Sequence, residues 1–183
     1  MRLVGISGSL RQNSYSTIIL KTMVEMVKPQ AVFELLDIGA LPHYNGDLEK
    51  EVLPTAVTDA RALVQLSDGV LVVCPEFNHG IPGVLKNTLD WLSRPAFNSC
   101  FLHKPVYFIT QSTGDLGGVR AQYQLRETFA SMLCHIIPLR EAALAHIGEK
   151  VTDGVITDPD TLAFLKRTAD RVLSEINKLK QQQ

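Results

Sequence analysis

Short apolar runs alternate with amphipathic helical patterns along this chain, and this alternation limits the possible folds more than any other feature. Runs such as Val70-Leu71-Val72-Val73 are apolar on both faces, which predicts strands that are covered on both sides. Five segments are predicted as strands: residues 2–7, 33–37, 69–74, 105–110 and, more weakly, 134–138. Five are predicted as helices: residues 14–27, 53–66, 84–92, 119–133 and a long helix that starts at Asp158-Pro159.

This order of elements predicts an α/β fold, with one domain over residues 1–183. Right-handed crossovers place helices on both faces of a doubly wound parallel sheet, and five strands favour the order 2-1-3-4-5. Ligands of such sheets bind beyond the carboxyl ends of the strands, where the strand order reverses. The loops after the first, third and fourth strands are therefore the expected site.

The loop after the first strand combines hydroxyl side chains with one arginine and leads into a helix. Unpaired amides and the positive end of the helix dipole suit an anion there, and Arg11 can add a charged contact to a phosphate. Neither GxGxxG nor GxxxxGK[ST] is present, so a terminal monophosphate fits better than a dinucleotide or a P-loop nucleotide. The alternative is that Ser14 or Ser16 only caps the helix and that Arg11 is solvated. The candidate residues are Ser9, Arg11, Ser14, Ser16 and Thr17.

The loop after the third strand contains two prolines and two glycines, which predicts a rigid shape suited to a flat ring such as isoalloxazine. Its candidate residues are Pro75, Glu76, Phe77 and Asn78. Phe77 is alternatively a core residue, Asn78 a turn residue and Glu76 a solvent-facing or helix-capping acid. His79 is more simply a solvated histidine than a proton donor, and Trp91 further along is expected in the core or an interface.

The loop after the fourth strand is rich in glycine and hydroxyl groups, which lets backbone approach a ligand closely. Ser112, Thr113 and Gly114 are the candidates, and a plain loop before a capped helix is the alternative. Because the third and fourth strands are neighbours in the predicted order, we expect both loops to border one cleft.

Composition excludes several classes of function. Lysine plus arginine is 18 and aspartate plus glutamate is 19, so bulk charge does not favour a nucleic acid or an anionic membrane. No apolar stretch approaches the roughly 20 residues of a membrane-spanning helix, and the N-terminal run is too short for a signal peptide. Three widely spaced cysteines without CxxC fit a reducing compartment and no metal site. The expected location is the cytoplasm.

The three loops together resemble the NADPH-dependent FMN reductase family, which includes bacterial quinone, chromate and azo-dye reductases. The similarity lies in GSLRQNSYS at residues 8–16, PEFN at 75–78, PGVLKNTLDW at 82–91, STG at 112–114 and GG at 117–118. It implies a flavodoxin-like fold in which Ser9, Arg11 and Ser14 hold the FMN phosphate, while residues 75–78 and 112–114 line the flavin. Ser16 stands where the family usually has Asn, and Phe77 where Tyr is commoner.

The same resemblance implies electrons from NADPH or NADH and acceptors such as quinones, azo compounds, chromate or free flavin. It also implies a homodimer or homotetramer. No catalytic side chain is required, because the flavin carries the redox chemistry. Two alternatives remain: a one-electron carrier of the flavodoxin type, although those are usually acidic, and a regulatory module that keeps the fold without a flavin. A receiver domain would need acidic residues where Ser7, Gly8 and Ser9 stand.

Overall fold

A parallel sheet forms the centre of the molecule in the computed structural model, which describes residues 1–50 and 52–182. The strand order is β2-β1-β3-β4-β5, so the predicted doubly wound order is confirmed. The main strands are β1 (Arg2–Ser7), β2 (Val32–Leu35), β3 (Gly69–Pro75) and β4 (Pro105–Gln111). Every residue of β3 and β4 is buried, as their apolar composition predicts.

Within residues 1–50 and 52–182, five α-helices cover the sheet, and they divide into two layers, as expected. They are α1 (Tyr15–Val27), α2 (Thr55–Gln65), α3 (Gly83–Leu92), α4 (Val119–Ser131) and α5 (Pro159–Gln181). The helices α2, α3 and α4 pack their apolar residues on one face, whereas α1 and α5 pack on the other. Side-chain caps begin two of them: Ser14 accepts from the Thr17 amide, and Asp158 accepts from the Thr161 amide.

The edge of the sheet beside β4 departs from the prediction of a single strand at 134–138. It consists of two short pieces, β5 (His135–Ile136) beside the start of β4 and β6 (Ala142–Leu144) beside its end. Pro138, which has no amide hydrogen to donate, lies between them. The Tyr107 hydroxyl donates to the Arg140 carbonyl oxygen at 2.9 Å, which fixes the intervening loop against β4.

Two further local differences have simple backbone causes. The prediction that α4 extends to Leu133 was wrong: the helix ends at Ser131, and Leu133 is 44% exposed and adopts a left-handed φ of 57°. An unexpected hairpin joins β7 (Val151–Thr152) to β8 (Val155–Ile156), with the left-handed residues Asp153 and Gly154 at its turn.

Two polar groups on α3 fix the loop that follows β2. The Asn87 amide oxygen accepts from the Tyr44 N–H at 2.7 Å, and its nitrogen donates to the Pro42 carbonyl at 3.0 Å. The fully buried Trp91 donates its indole N–H to the same carbonyl at 2.8 Å and packs edge-on against Tyr44. Trp91 is therefore a core residue, and Asn87 within the PGVLKNTLDW segment is an anchor for a neighbouring loop.

Gly117 and Gly154 provide a matched pair for testing how tightly the β4 loop packs on the sheet edge. Both have left-handed backbones, but a Cβ at Gly117 would lie 2.7 Å from the Ala143 carbonyl carbon, whereas a Cβ at Gly154 meets nothing within 4 Å. Gly154→Ala should cost about 1–2 kcal/mol of unfolding free energy from backbone strain alone. Gly117→Ala should cost at least about 2 kcal/mol more, because rigid backbone must move. Urea unfolding of both variants tests this difference, and equal losses would contradict it.

Candidate functional site

The three predicted loops meet in one cleft at the carboxyl ends of β1, β3 and β4. The cleft has a volume of about 170 Å³. Its lining comes from the first loop and the start of α1 (Ser9, Arg11, Ser14, Tyr15), from β3 with its loop (Pro75, Glu76, Phe77) and from β4 with its loop (Gln111, Ser112, Thr113). Eight of the twelve predicted site residues are thus brought together, and four are not: Ser16, Thr17, Asn78 and Gly114.

The first loop presents an electropositive wall to the cleft. Arg11 is exposed, and its guanidinium has no partner within the described residues 1–50 and 52–182. The first amides of α1, those of Tyr15 and Ser16, meet no acceptor in the same part of the chain. Since the positive end of the α1 dipole lies at the same point, this wall suits an anion.

Hydroxyl groups fix the shape of this wall from behind. The Ser14 hydroxyl accepts from the Thr17 amide at 3.1 Å and shares a hydrogen bond with the Thr17 hydroxyl at 2.8 Å. The Thr17 hydroxyl in turn lies 2.9 Å from that of Ser7 at the end of β1. The fully buried Ser16 hydroxyl accepts from the Gln111 amide at 3.1 Å, which joins α1 to β4. Ser16 and Thr17 therefore support the cleft without lining it.

The β3 loop is a tight hairpin. Phe77 and Gly80 exchange two backbone hydrogen bonds of 2.9 Å around Asn78 and His79, whose φ angles of 48° and 65° are both left-handed. Asn78 and His79 form the exposed tip, away from the cleft lining, so the turn interpretation of Asn78 agrees with the structure. Phe77 lines the cleft and is 56% exposed, which excludes the core alternative for this residue.

Glu76 links the β3 loop to α4. Its carboxylate accepts from the amides of Arg120 and Ala121 at 2.9 and 3.3 Å, and the Arg120 guanidinium lies 3.4 Å from its other oxygen. Because α4 is preceded by Gly118, which has no capping side chain, Glu76 provides the missing cap from another loop. The helix-capping alternative for Glu76 is therefore observed, and the carboxylate also borders the cleft.

Backbone contacts with the sheet edge shape the β4 loop. The Ser112 amide donates to the Leu144 carbonyl at 3.0 Å, and the Ile147 amide donates to the Ser112 carbonyl at 3.1 Å. The Ser112 hydroxyl accepts from the Gly114 amide at 3.0 Å, so Gly114 shapes the loop and does not line the cleft. Gly118, with a φ of 83°, packs closely on the backbone of Gln111.

Tyr15 and Gln111 line the cleft but were not predicted from the sequence. Tyr15 lies within the helical pattern predicted for α1, where an aromatic residue is normally interpreted as a packing residue. Gln111 is the last residue of β4, one position beyond the predicted end of that strand. The sequence could have indicated Gln111, because an amide side chain buried at the end of an otherwise apolar strand requires a hydrogen-bond partner.

Near the cleft, the described part of the chain has neither a reactive thiol nor a cluster of metal-binding side chains. Burial, with the nearby Glu76 charge, raises the pKa of Cys74 far above its ordinary value, and its thiol donates to the Pro75 carbonyl at 3.1 Å. Residues 1–50 and 52–182 hold no group of three side chains arranged to bind a metal ion. None of the helices in that part of the chain is both long enough and apolar enough to cross a membrane.

Comparison with known proteins agrees with the fold and the loops. The model of the family described as NADPH-dependent FMN reductase matches residues 1–149. An NAD(P)H-dependent FMN reductase of Pseudomonas aeruginosa is 39% identical over 135 residues, which cover 74% of this chain and 72% of that protein. A quinone reductase of Pseudomonas putida is 34% identical over 171 residues, covering 92% and 91%.

The solved structure of FerB, a flavoenzyme NAD(P)H:(acceptor) oxidoreductase from Paracoccus denitrificans, superimposes with a TM-score of 0.87 at 32% identity, covering 97% of each chain. The family match extends over most of the chain and includes all three loops that line the cleft. This chain therefore belongs to the NADPH-dependent FMN reductase family.

Proposed function

We propose that this chain is an oxidoreductase that holds FMN in the three-loop cleft and uses electrons from NADPH or NADH to reduce a small-molecule acceptor. The observation that carries the proposal is the convergence of the three family loops on one cleft whose only arginine, Arg11, has no protein partner in the described residues. Quinones are the favoured acceptors, because relatives over 30% identical are quinone reductases.

The donors of the first loop fit a phosphate monoester. Arg11 supplies a charged, planar donor set, and the Ser9 and Ser14 hydroxyls lie in the same lining. The free amides at the start of α1 add uncharged donors that need no side-chain movement. We assign the phosphate to this wall, with Ser16 and Thr17 holding it in shape.

The opposite side of the cleft fits a flat ring. Pro75 and Phe77 supply apolar surface, whereas Ser112 and Thr113 supply polar groups at the facing loop. Both loops are held by hydrogen bonds to neighbouring elements, so little ordering accompanies binding. Asn78 and Gly114 contribute through the backbone shape of these loops.

Bound FMN supplies the reversible hydride acceptance that no protein side chain can provide. The residues of the chain bind and orient the FMN, and they leave a single opening through which both the nicotinamide and the acceptor reach it. A single mouth used in turn implies ping-pong kinetics. The chain is further proposed to act as one domain, to form a homodimer or homotetramer and to work in the cytoplasm. A one-electron protein carrier is less consistent with the nearly balanced charge.

The purified protein reconstituted with FMN should oxidise NADPH rapidly when a small quinone such as 1,4-benzoquinone is added. The reason is that the cleft holds the flavin with its mouth open to small molecules. NADPH oxidation followed at 340 nm, with free FMN at the same concentration as the background, measures this. A rate no greater than that background would contradict the proposed enzyme and favour a carrier or a module that has lost the flavin.

Replacing Arg11 with Ala should weaken FMN binding, since it removes the one cationic side chain among the described residues that line the cleft. Loss of a charged hydrogen bond worth about 1.5–3 kcal/mol raises the Kd for FMN by roughly 10- to 150-fold. Quenching of flavin fluorescence on titration gives this value. Lys21→Ala, which removes an exposed positive charge elsewhere on α1, should leave the Kd within about two-fold, and a similar loss in both variants would remove Arg11 from the site.

Glu76→Ala should lower stability and loosen the cleft, because it removes the cap of α4 and the ion pair with Arg120. The expected cost is about 1–2 kcal/mol of unfolding free energy, with weaker FMN binding. Glu34→Ala is the matched control: it removes a surface pair with Arg2 and should cost at most about 1 kcal/mol. Urea unfolding of both proteins without FMN separates the two effects, and an unchanged free energy for Glu76→Ala would contradict the capping role.

A further inference from the structure

The arginines of this chain divide into two groups. Of the nine in the sequence, five have a protein partner: Arg2 with Glu34, Arg61 with the Trp91 carbonyl, Arg94 with the Tyr44 ring, Arg120 with Glu76 and Arg126 with Glu141. The other four have neither an ion pair nor a side-chain hydrogen bond within residues 1–50 and 52–182, and every one of them lines a cavity. Arg11 lines the FMN cleft, and the remaining three line a second cavity together.

This second cavity, which we name the arginine pocket, lies between α5 and the loop that joins β5 to β6. Arg167 and Arg171 reach it from consecutive turns of α5, and Arg140 reaches it from the loop. Its volume is about 220 Å³, larger than that of the FMN cleft. The three arginines are exposed, and no aspartate or glutamate is among the described lining residues, so the arginine pocket has no internal counter-charge.

The arginine pocket is built on the core of the protein. Its inner wall is Tyr107 of β4, which is 5% exposed and donates its hydroxyl to the Arg140 carbonyl at 2.9 Å. Burial raises the pKa of Tyr107 to about 12, so this donor keeps its proton at neutral pH. Leu139 and Phe164 supply the apolar sides. The backbone of one arginine is thus fixed by a buried side chain, and the other two project from a rigid helix.

The arginine pocket is distinct from the FMN cleft. The two cavities share no lining residue. Tyr107 and Gln111, their respective contributions from β4, are four residues apart, which is about 13 Å along a strand. A flavin in the first cleft therefore leaves the second available.

The charge and lining together select a class of ligand. A phosphate monoester carries nearly two negative charges and three acceptor oxygens, which several guanidiniums can bind in bidentate fashion. A carboxylate would satisfy only one guanidinium well. The apolar walls call for a hydrophobic or aromatic body next to the anion, and the volume restricts that body to a small molecule. We propose that the arginine pocket is a second binding site, for a small organic phosphate whose apolar part packs against Phe164 and Leu139.

Phenyl phosphate is a suitable probe, with inorganic phosphate and phenol as its two halves. In calorimetric titrations of the protein saturated with FMN, phenyl phosphate should bind saturably, inorganic phosphate should bind more weakly and phenol should not bind. The double variant Arg167→Gln/Arg171→Gln should raise the Kd for phenyl phosphate at least ten-fold. Arg140→Gln, which leaves α5 unaltered, should raise it in the same direction.

The matched control is Lys28→Gln/Lys178→Gln, which removes two exposed positive charges that lie outside the arginine pocket, one of them on α5. It should leave the Kd within two-fold, which separates a site from general attraction to a positive surface. An unchanged Kd in both arginine variants would overturn the proposal, as would the absence of saturable binding to the unmodified protein at about ten millimolar probe. Because these titrations do not follow NADPH oxidation, a negative result would leave the proposed reductase activity unaffected.

Discussion

The register of three parallel strands, β1, β3 and β4, determines where the three loops of the cleft lie. Pro75 of β3 pairs with Gln111 of β4, so these two strands end level, and Ser7 of β1 pairs with Val73, two residues before the end of β3. Gly8 continues this alignment by donating its amide to the Val73 carbonyl at 2.7 Å. Since each strand is followed by a loop, ends that lie within two residues of one another place the three loops side by side. A shift of one strand by two residues would move one wall of the cleft by about 7 Å.

The loops above these strands are held by hydrogen bonds that come mostly from outside the cleft. Glu76 reaches α4, Gln124 of α4 accepts from the Ile81 amide at 2.7 Å, and Ser112 joins the edge strand. The donors that face the cleft, above all Arg11 and the first amides of α1, are left without partners in the described residues. Internal bonds thus set the shape of the walls, while the unused donors remain available to an anion. A preorganised cofactor site requires both walls of fixed shape and donors that are free to bind the cofactor.

Much of this architecture could be predicted because it depends on local patterns. The hydrophobic periodicity of strands and helices predicted the sheet order, and the positions of the loops predicted eight of the ten residues that line the cleft. The features that were missed depend on contacts between distant parts of the chain. Ser16 accepts from the side-chain amide of Gln111, which is 95 positions away. Capping was one of the alternatives for Glu76, but the helix that it caps begins more than 40 residues later and was not identified in advance. The interrupted edge of the sheet was missed for a similar reason, because it depends on how β4 pairs with each short piece.

That interrupted edge limits how copies of this protein can associate. β5 has two residues and β6 has three, so neither presents enough consecutive backbone groups to pair with a strand of another molecule. The opposite edge, β2, is only four residues long. Growth of the sheet from one subunit into the next is therefore disfavoured at both ends. Side chains on helices and loops are therefore the surfaces favoured for association, rather than the backbone of an edge strand.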